Sequence, residues 1–163
     1  MPVNLEPMTA VDRNPVIDIF NYYIENSFAA YPDHKVSYDF FDHLLKAGES
    51  YPAIVVKDGK GTVVGFGMLR AFHSLPVFSK TAEISYFIKP DWVGKGLGKK
   101  MLEHLIHKAE EKGITSILAS ISSLNIQSIG FHKNNGFREC GRFKKIGRKK
   151  GQAFDVVYMQ KML

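Results

Sequence analysis

Cysteine and long apolar runs are scarce in this chain. Among 163 residues there is one cysteine, Cys140, which excludes an intrachain disulfide and with it a disulfide-stabilised secreted fold. The longest uncharged run, residues 114–131, contains five serines, and it is too polar to span a bilayer, which takes about 20 mostly apolar residues. Charged residues interrupt the N-terminal segment where a signal peptide needs an apolar stretch. We therefore expect a cytoplasmic protein with no membrane partner.

The composition is otherwise that of an ordinary globular protein. Hydrophobic residues make up 45% of the chain and charged residues 23%, which excludes a disordered or collagen-like chain. The length suits one domain over residues 1–163. The net charge of +6 favours an anionic partner: nucleic acid, membrane or a phosphate-bearing small molecule.

Hydrophobic periodicity and turn residues predict short alternating helices and strands. Helices are expected at 9–26, 37–48, from the glycine cluster to about 112, and from 123 or 125 to 135. Strands are expected at 53–57, 62–69, 82–89, 114–121, 137–146 and 152–162. This order predicts a mixed α/β (α+β) fold around a largely antiparallel sheet, since regular βαβ winding is not present.

The glycine-rich segment Gly94-Lys95-Gly96-Leu97-Gly98 lies between a strand and a helix. The first turn of a helix has unpaired backbone N–H groups and a partial positive charge, and glycine lets a phosphate approach them. Lys95, Lys99 and Lys100 add positive charge. The segment therefore predicts a pyrophosphate site.

Three ligands and one ligand-free alternative compete for this segment. The P-loop spacing is not present, and no acidic residue follows at 114–125 to bind the ribose of a dinucleotide. The pyrophosphate of coenzyme A remains. The alternative is that the glycines only make the start of the helix flexible and that the segment binds no ligand.

A resemblance to a known family strengthens the coenzyme A interpretation. The segment 93–98 resembles the coenzyme A loop of the GNAT acyltransferases, and Asn125, Ser128, His132 and Gly136-Phe137 resemble the second half of that signature. Asn21, Tyr23-Ile24-Glu25, Ala82-Glu83, and Gly151 followed by Asp155 resemble the phosphinothricin acetyltransferase branch over nearly the whole chain. Val93 departs from the glutamine or arginine usual at the start of the loop.

The resemblance implies a twisted GNAT-like sheet with helices on both faces and acetyl-CoA as cofactor. It implies transfer of an acetyl group to the primary amine of a small molecule, an amino acid or analogue, by direct attack in a ternary complex. It also implies a homodimer. A coenzyme A-binding protein without catalysis is one alternative. A nucleic-acid-binding module that uses the basic residues 142–150 is another, although such residues on strands usually form a solvated face.

Two residues are candidates for catalysis by this resemblance. Glu83, near the start of the strand before the glycine loop, is the expected general base, directly or through water. His132 occupies the position of the group that protonates the departing thiolate. The alternatives are a solvated glutamate at the edge of a strand and a surface histidine.

The resemblance also implies the cofactor contacts. Backbone groups of Phe87 and Ile88 are expected to pair with the pantetheine arm, on a strand that a β-bulge splays. Asn125 is expected to contact pantetheine or cap a helix. The complete expected set is Phe87, Ile88, Val93, Gly94, Lys95, Gly96, Leu97, Gly98, Lys99, Asn125 and Ser128.

The acceptor site is less defined by the sequence. Two arginines usual in the branch, in an F-R-x-R arrangement, are His73 and Leu75 in this chain, so an anionic acceptor needs another cation, such as Arg70 or His73. The candidate acceptor residues are Glu25, Phe28, Tyr31, Arg70, Phe72 and His73. No metal site is expected, because His104 and His107 lack an evident third ligand.

Overall fold

The computed structural model describes residues 2–163, which build one seven-stranded sheet in the order β1-β2-β3-β4-β5-β7-β6. All neighbouring strands are antiparallel except β4 and β5, so the prediction of a largely antiparallel sheet is confirmed. The strands are β1 Val3–Pro7, β2 Ala53–Asp58, β3 Val63–Ala71, β4 Thr81–Ile88, β5 Ser116–Ser122, β6 Arg138–Lys149 and β7 Gln152–Met162. The helices are α1 Arg13–Asn26, α2 Phe40–Ala47, α3 Leu97–Glu111 and α4 Ile126–Asn134.

Helices cover both faces of the sheet, as expected. Successive strand residues point to opposite faces, so Val55 packs with α1 and α2 whereas Ile54 and Val56 pack with α3. The α3 side is the larger of the two cores, and α4 contributes to it through Ile129 and Phe131. The central strands are therefore buried on both sides.

The apolar stripe of α3 anchors this helix to the sheet. Leu97, Met101, Leu105 and Ala109 recur every four residues and are at most 4% exposed. The helix begins after Gly96, which has a left-handed backbone, and Gly113 (φ 76°) follows its C-terminus. The N-terminus of α3 is thereby held rigidly at the end of β4.

The sequence-based boundaries differ from the structure at several places. Strand β1 was not expected; it pairs with β2 at the edge of the sheet. A 3₁₀ turn at 10–12, in which the Thr9 N–H donates to the Asp12 carboxylate, precedes α1, so the α-helix begins later than expected. Cys140 is exposed, because β6 is the other edge strand.

Strands β4 and β5 separate after a short parallel contact. Only Thr81, Ala82 and Glu83 pair with β5; beyond Glu83, β4 continues along β3 and β5 continues along β7. The β3–β4 register is unbroken over seven residue pairs, so the expected bulge in β4 was wrong. Because each strand stays with its outer partner as the sheet twists, a wedge-shaped opening forms between them.

Truncation of the α3 stripe tests the packing. Leu105→Ala removes a fully buried side chain, and we expect the free energy of unfolding to fall by about 2–5 kcal/mol. Glu110→Ala, on the exposed side of the same helix, is the matched control and should change it by less than about 0.5 kcal/mol. Urea denaturation measures both. Equal stability of the two variants would contradict this packing.

Candidate active site

The opening between β4 and β5 continues into a cleft of about 400 Å³. Its walls are the C-terminal half of β4, the C-terminal half of β5, the glycine segment and α4. Tyr23 and Ala29 complete the lining from the α1 side. Of the expected cofactor residues, Phe87, Ile88, Val93, Gly94, Gly96, Leu97, Gly98, Lys99, Asn125 and Ser128 line it.

The glycine segment presents backbone to this cleft. Gly94 (φ 81°) and Gly96 (φ 77°) both adopt left-handed conformations, which favour glycine. Gly96 precedes α3, and no side chain caps that helix end. The N–H groups of the first turn therefore point outward beside the cleft wall, the arrangement that binds a diphosphate.

Lys95 does not line the cleft, contrary to expectation. Its ammonium lies 5.1 Å from the centroid of the Trp92 ring, at a cation–π distance. The side chain instead borders a neighbouring depression formed with Val3, Leu97 and Lys100. The attraction of the indole ring holds the Lys95 ammonium away from the cleft. Lys95 therefore contributes only its backbone groups to the glycine segment.

The backbone groups of β4 alternate between β3 and the cleft. The Lys89 N–H donates to the Val64 carbonyl at 2.8 Å, and by antiparallel alternation Phe87 bonds to β3 as well. The backbone groups of Tyr86 and Ile88 therefore face the cleft. The expectation for Ile88 fits this geometry, whereas the one for the backbone of Phe87 is wrong by one residue. The Tyr23 hydroxyl donates to the Ile88 carbonyl at 2.5 Å.

Helix α4 begins at the cleft with a side-chain cap. The Asn125 Oδ1 atom accepts the Ser128 N–H at 3.3 Å, so Asn125 caps the helix and lines the cleft at once. One turn later, His132 Nδ1 lies 2.7 Å from the Ser128 carbonyl oxygen. A carbonyl only accepts, so Nδ1 carries the proton and Nε2 of the neutral ring is an acceptor.

His132 is buried and paired with a tyrosine that sequence reasoning missed. The ring is 4% exposed, and its Nε2 atom lies 2.6 Å from the Tyr86 hydroxyl. Burial lowers the pKa of His132 and raises that of Tyr86, so both groups are neutral near pH 7. His132 is therefore not a surface histidine, and the chain Tyr86–His132–Ser128 is a preorganised hydrogen-bond relay in the cleft wall.

Glu83 lies on the opposite face of β4 from this relay. Its Oε2 atom accepts a hydrogen bond from Arg70 at 2.8 Å, and Arg70 also donates to Ser85 Oγ at 2.5 Å. The Glu83 side chain is 14% exposed and is not among the residues that line the cleft. Because β4 and β5 part directly after Glu83, the backbone of Glu83 lies where the opening between the strands begins.

Some expected acceptor residues gather near this ion pair. The Tyr31 hydroxyl lies 3.2 Å from Ser120 Oγ, and Ser120 lines the cleft. Leu118 pairs with Glu83, and Ser120 lies two residues later on the same face of β5, so the Tyr31 hydroxyl stands on the side of the sheet that carries Glu83. Burial raises the pKa of Tyr31. The rings of Phe28 and Tyr31 both pack against Phe154.

Other expected acceptor residues lie elsewhere. Glu25 is half-exposed on α1, faces Lys35 at 3.4 Å and does not line the cleft, so its place at the acceptor site stays a prediction. Phe72 and His73 pack with Phe78 in the segment that connects β3 and β4. The His73 Nδ1 atom accepts the Leu75 N–H. This segment forms its own aromatic cluster beside the site.

Residues 2–163 contain neither a cluster of metal-binding side chains nor a helix suited to span a membrane. No group of three or more histidine, cysteine or acidic side chains comes close enough there to hold a metal ion. None of the helices in that range has the length and apolar character needed to cross a bilayer.

The model of the acetyltransferase (GNAT) family matches residues 16–137, three quarters of the chain, including the glycine segment and α4. The chain belongs to the GNAT family. A GNAT enzyme holds acetyl-CoA, and the cleft of this one has the exposed helix N-terminus and strand backbone that such a molecule needs. The protein is an acetyl-CoA-dependent N-acetyltransferase.

Three known proteins show how close the similarity is. An L-methionine sulfoximine/L-methionine sulfone acetyltransferase of Pseudomonas paraeruginosa is 30% identical over 98% of this chain and 94% of its own. An L-amino acid N-acyltransferase of Escherichia coli is 32% identical over 93% of this chain and 89% of its own. A phosphinothricin acetyltransferase of Sinorhizobium meliloti, solved with acetyl-CoA, superposes with a TM-score of 0.93 at 28% identity, covering 100% of this chain and 89% of that one.

Two glycine substitutions separate backbone strain from local packing. Gly96→Ala forces a side chain into a left-handed conformation, and we expect a loss of about 1 kcal/mol in the free energy of unfolding and weaker acetyl-CoA binding. A Cβ at Gly98 would lie 3.5 Å from Phe131, an ordinary contact, so Gly98→Ala should be no less stable than the parent. Urea denaturation and calorimetric titration measure these effects. A loss of stability in Gly98→Ala, with parental stability in Gly96→Ala, would contradict the assignment of the strained left-handed backbone to Gly96.

Proposed function

We propose that residues 1–163 act as one acetyltransferase domain whose acceptor is the primary amine of an amino acid or a close analogue. The observation that carries the proposal is the position of Glu83 in the last residue pair before β4 and β5 part, beside the opening that leads into the cleft. The acceptors named for the two relatives, methionine sulfoximine or sulfone and L-amino acids, support this substrate class.

Residues from three elements would hold the cofactor. The first-turn N–H groups of α3 meet the diphosphate, and the backbone groups of Tyr86 and Ile88 pair with the amides of the pantetheine arm as an added strand does. Asn125 lines the same channel. When bound, acetyl-CoA supplies an activated acetyl thioester. Val93 contributes an apolar contact at the mouth of the cleft.

Glu83 removes a proton from the acceptor. An amino-acid ammonium has a pKa of about 8 and must become neutral before its nitrogen attacks a carbonyl carbon. The Glu83 carboxylate, fixed by Arg70, accepts this proton directly or through one water. The ion pair also fixes Arg70 beside Tyr31, so these two side chains and Phe28 form the proposed acceptor wall. Phe72 and His73 border it from the β3–β4 segment.

Tyr86 and His132 assist the departing sulfur together. Both nitrogens of His132 are engaged, so the ring acts through the Tyr86 hydroxyl that it holds at 2.6 Å. The raised pKa of Tyr86 disfavours full proton transfer to a thiolate, whose conjugate thiol has a pKa of about 8.5. The hydroxyl has a single proton, which it donates to His132 Nε2 in this structure. During the reaction the hydroxyl turns this proton toward the developing negative charge on sulfur. His132 is thus a positioning residue and Tyr86 the group that touches the reacting atoms.

The proposed assembly is a cytoplasmic homodimer. Support comes from apolar side chains at the surface of the β3–β4 segment: Val77 is 80% exposed and Leu75 53% exposed. Residues of this kind next to the acceptor wall favour burial against a second copy.

Removal of the carboxylate tests the proposed base. Glu83→Gln keeps the shape of the side chain but cannot accept the ammonium proton, so kcat should fall about 100-fold or more while the Kd of acetyl-CoA stays the same. Glu139→Gln breaks an exposed pair with Arg142 and is the matched control, with kcat unchanged. Thiol release with an amino-acid panel that includes methionine sulfone measures kcat. An unchanged kcat in Glu83→Gln across the pH range would reject the role.

Removal of one hydroxyl tests the relay. Tyr86→Phe deletes a transition-state hydrogen bond worth about 1–1.5 kcal/mol, so kcat should fall about ten-fold with acetyl-CoA affinity retained. Tyr51→Phe, a half-buried tyrosine that packs on the α3-side core, is the control and should leave kcat unchanged. Full kcat in Tyr86→Phe, together with a large loss in His132→Phe, would assign the contact with sulfur to His132 instead.

A further inference from the structure

Lys149, near the hairpin that joins β6 and β7, is a buried charge that the mechanism does not use. It is 3% exposed, although its neighbours in the basic sequence 148–150 are exposed. Its Nζ atom donates to the Ser27 carbonyl at 2.9 Å and to the Ala30 carbonyl at 2.7 Å. Burial lowers its pKa. A buried ammonium ordinarily pairs with a carboxylate, so its use on two backbone carbonyls indicates a specific role.

Both carbonyls belong to segment 27–31, which follows α1 and borders the cleft. The Ser27 hydroxyl donates to the Tyr23 carbonyl at 2.8 Å, and Ser27 Oγ accepts the Ala29 N–H at 3.1 Å. Ala29 lines the cleft and Tyr31 reaches Ser120 at 3.2 Å. The position of this segment therefore decides where the Tyr31 hydroxyl stands.

Aromatic packing holds the side chains of this segment, whereas Lys149 holds its backbone. The rings of Phe28 and Tyr31 both rest on Phe154, through an edge contact and a stacked contact with centroids about 6 Å apart. Two hydrogen bonds from one ammonium to carbonyls three residues apart fix the turn in one conformation, because both acceptors must converge on a single atom.

We propose that Lys149 is a positioning residue for the acceptor: its ammonium fixes segment 27–31 so that Tyr31 stands at Ser120 beside the Arg70–Glu83 pair. The inference rests on the proposed function for its kinetic consequence, although the ordering of the segment is independent of it. Loss of the ammonium weakens binding of the acceptor amine. Binding of the cofactor, which α3 and β4 contact, stays unchanged.

The test compares two lysines on the same strand. Lys149→Met keeps the aliphatic stem and removes the donors; Lys144→Met removes an exposed charge from β6 and is the matched control. We expect the acceptor KM of Lys149→Met to rise about ten-fold or more, as loss of hydrogen bonds to a charged group implies. Its kcat at saturating acceptor and its Kd for acetyl-CoA should stay within about two-fold of the parent. Lys144→Met should match the parent in the acceptor KM, in kcat and in the Kd for acetyl-CoA.

Amide hydrogen exchange separates this inference from the proposed function. The Ser27 and Ala29 amides should exchange at least about ten-fold faster in Lys149→Met, whether or not any amine is acetylated. Tyr31→Phe should raise the acceptor KM in the parent and add little in the Lys149→Met background, because both changes act on the same contact.

Several outcomes would overturn the proposal. Parental exchange rates at Ser27 and Ala29 in Lys149→Met would show that the ammonium does not order the segment. Faster exchange with an unchanged acceptor KM would show that this order does not matter for the acceptor. Equal rises in the KM of the acceptor and of acetyl-CoA would show that the effect is not confined to the acceptor side. Should Lys149→Met fail to fold, Lys149→Gln replaces it: its shorter amide cannot reach both carbonyls, so the acceptor KM must still rise above that of Lys144→Gln. Failure of every variant and the parent to acetylate any amine, with faster exchange in Lys149→Met, would refute the proposed function and leave the ordering role standing.

Discussion

The early separation of β4 from β5 is the constraint on which the site depends. Three residue pairs hold the two strands together, after which each follows its outer neighbour. A sheet interior ordinarily uses every backbone hydrogen-bonding group, and here the groups of Tyr86 and Ile88 are turned toward an opening. That opening leads to the N-terminus of α3, where Gly96, Leu97 and Gly98 line the cleft. One distortion of the sheet thus prepares both halves of the cofactor site.

The same separation explains why the two proposed catalytic groups lie on opposite faces of the sheet. Glu83, held by Arg70, faces the α1 side, whereas Tyr86, held by His132, faces the α3 side. Side chains on opposite faces of a continuous sheet cannot act on one substrate. Where the strands part, a molecule that passes between them meets both. In the proposed mechanism the acceptor and the cofactor therefore approach from different sides, which suits direct transfer in a ternary complex.

Sequence patterns anticipated much of this architecture because its signals are local. The stripe of α3, the glycines before it and the cap at Asn125 all depend on residues within one or two turns of each other. Whether the backbone groups of Phe87 or those of Tyr86 face the cleft depends on how β4 pairs with β3, and the sequence does not show this pairing. Lys149 stands in a basic run that is typical of solvated surface, and only the fold of segment 27–31 against Phe154 buries it. Lys95 was misassigned because Trp92, three residues before it, attracts its charge.

Mapping of backbone amide shifts during titration with acetyl-CoA tests the central claim most directly. If the parted strands and the first turn of α3 hold the cofactor, the largest ¹H–¹⁵N changes will fall on Ile88, Gly98 and Lys99. The amides of the exposed basic hairpin, residues 142–148, will stay unchanged. Changes concentrated in that hairpin or in the aromatic segment 72–78, with the Ile88 amide unmoved, would contradict the account.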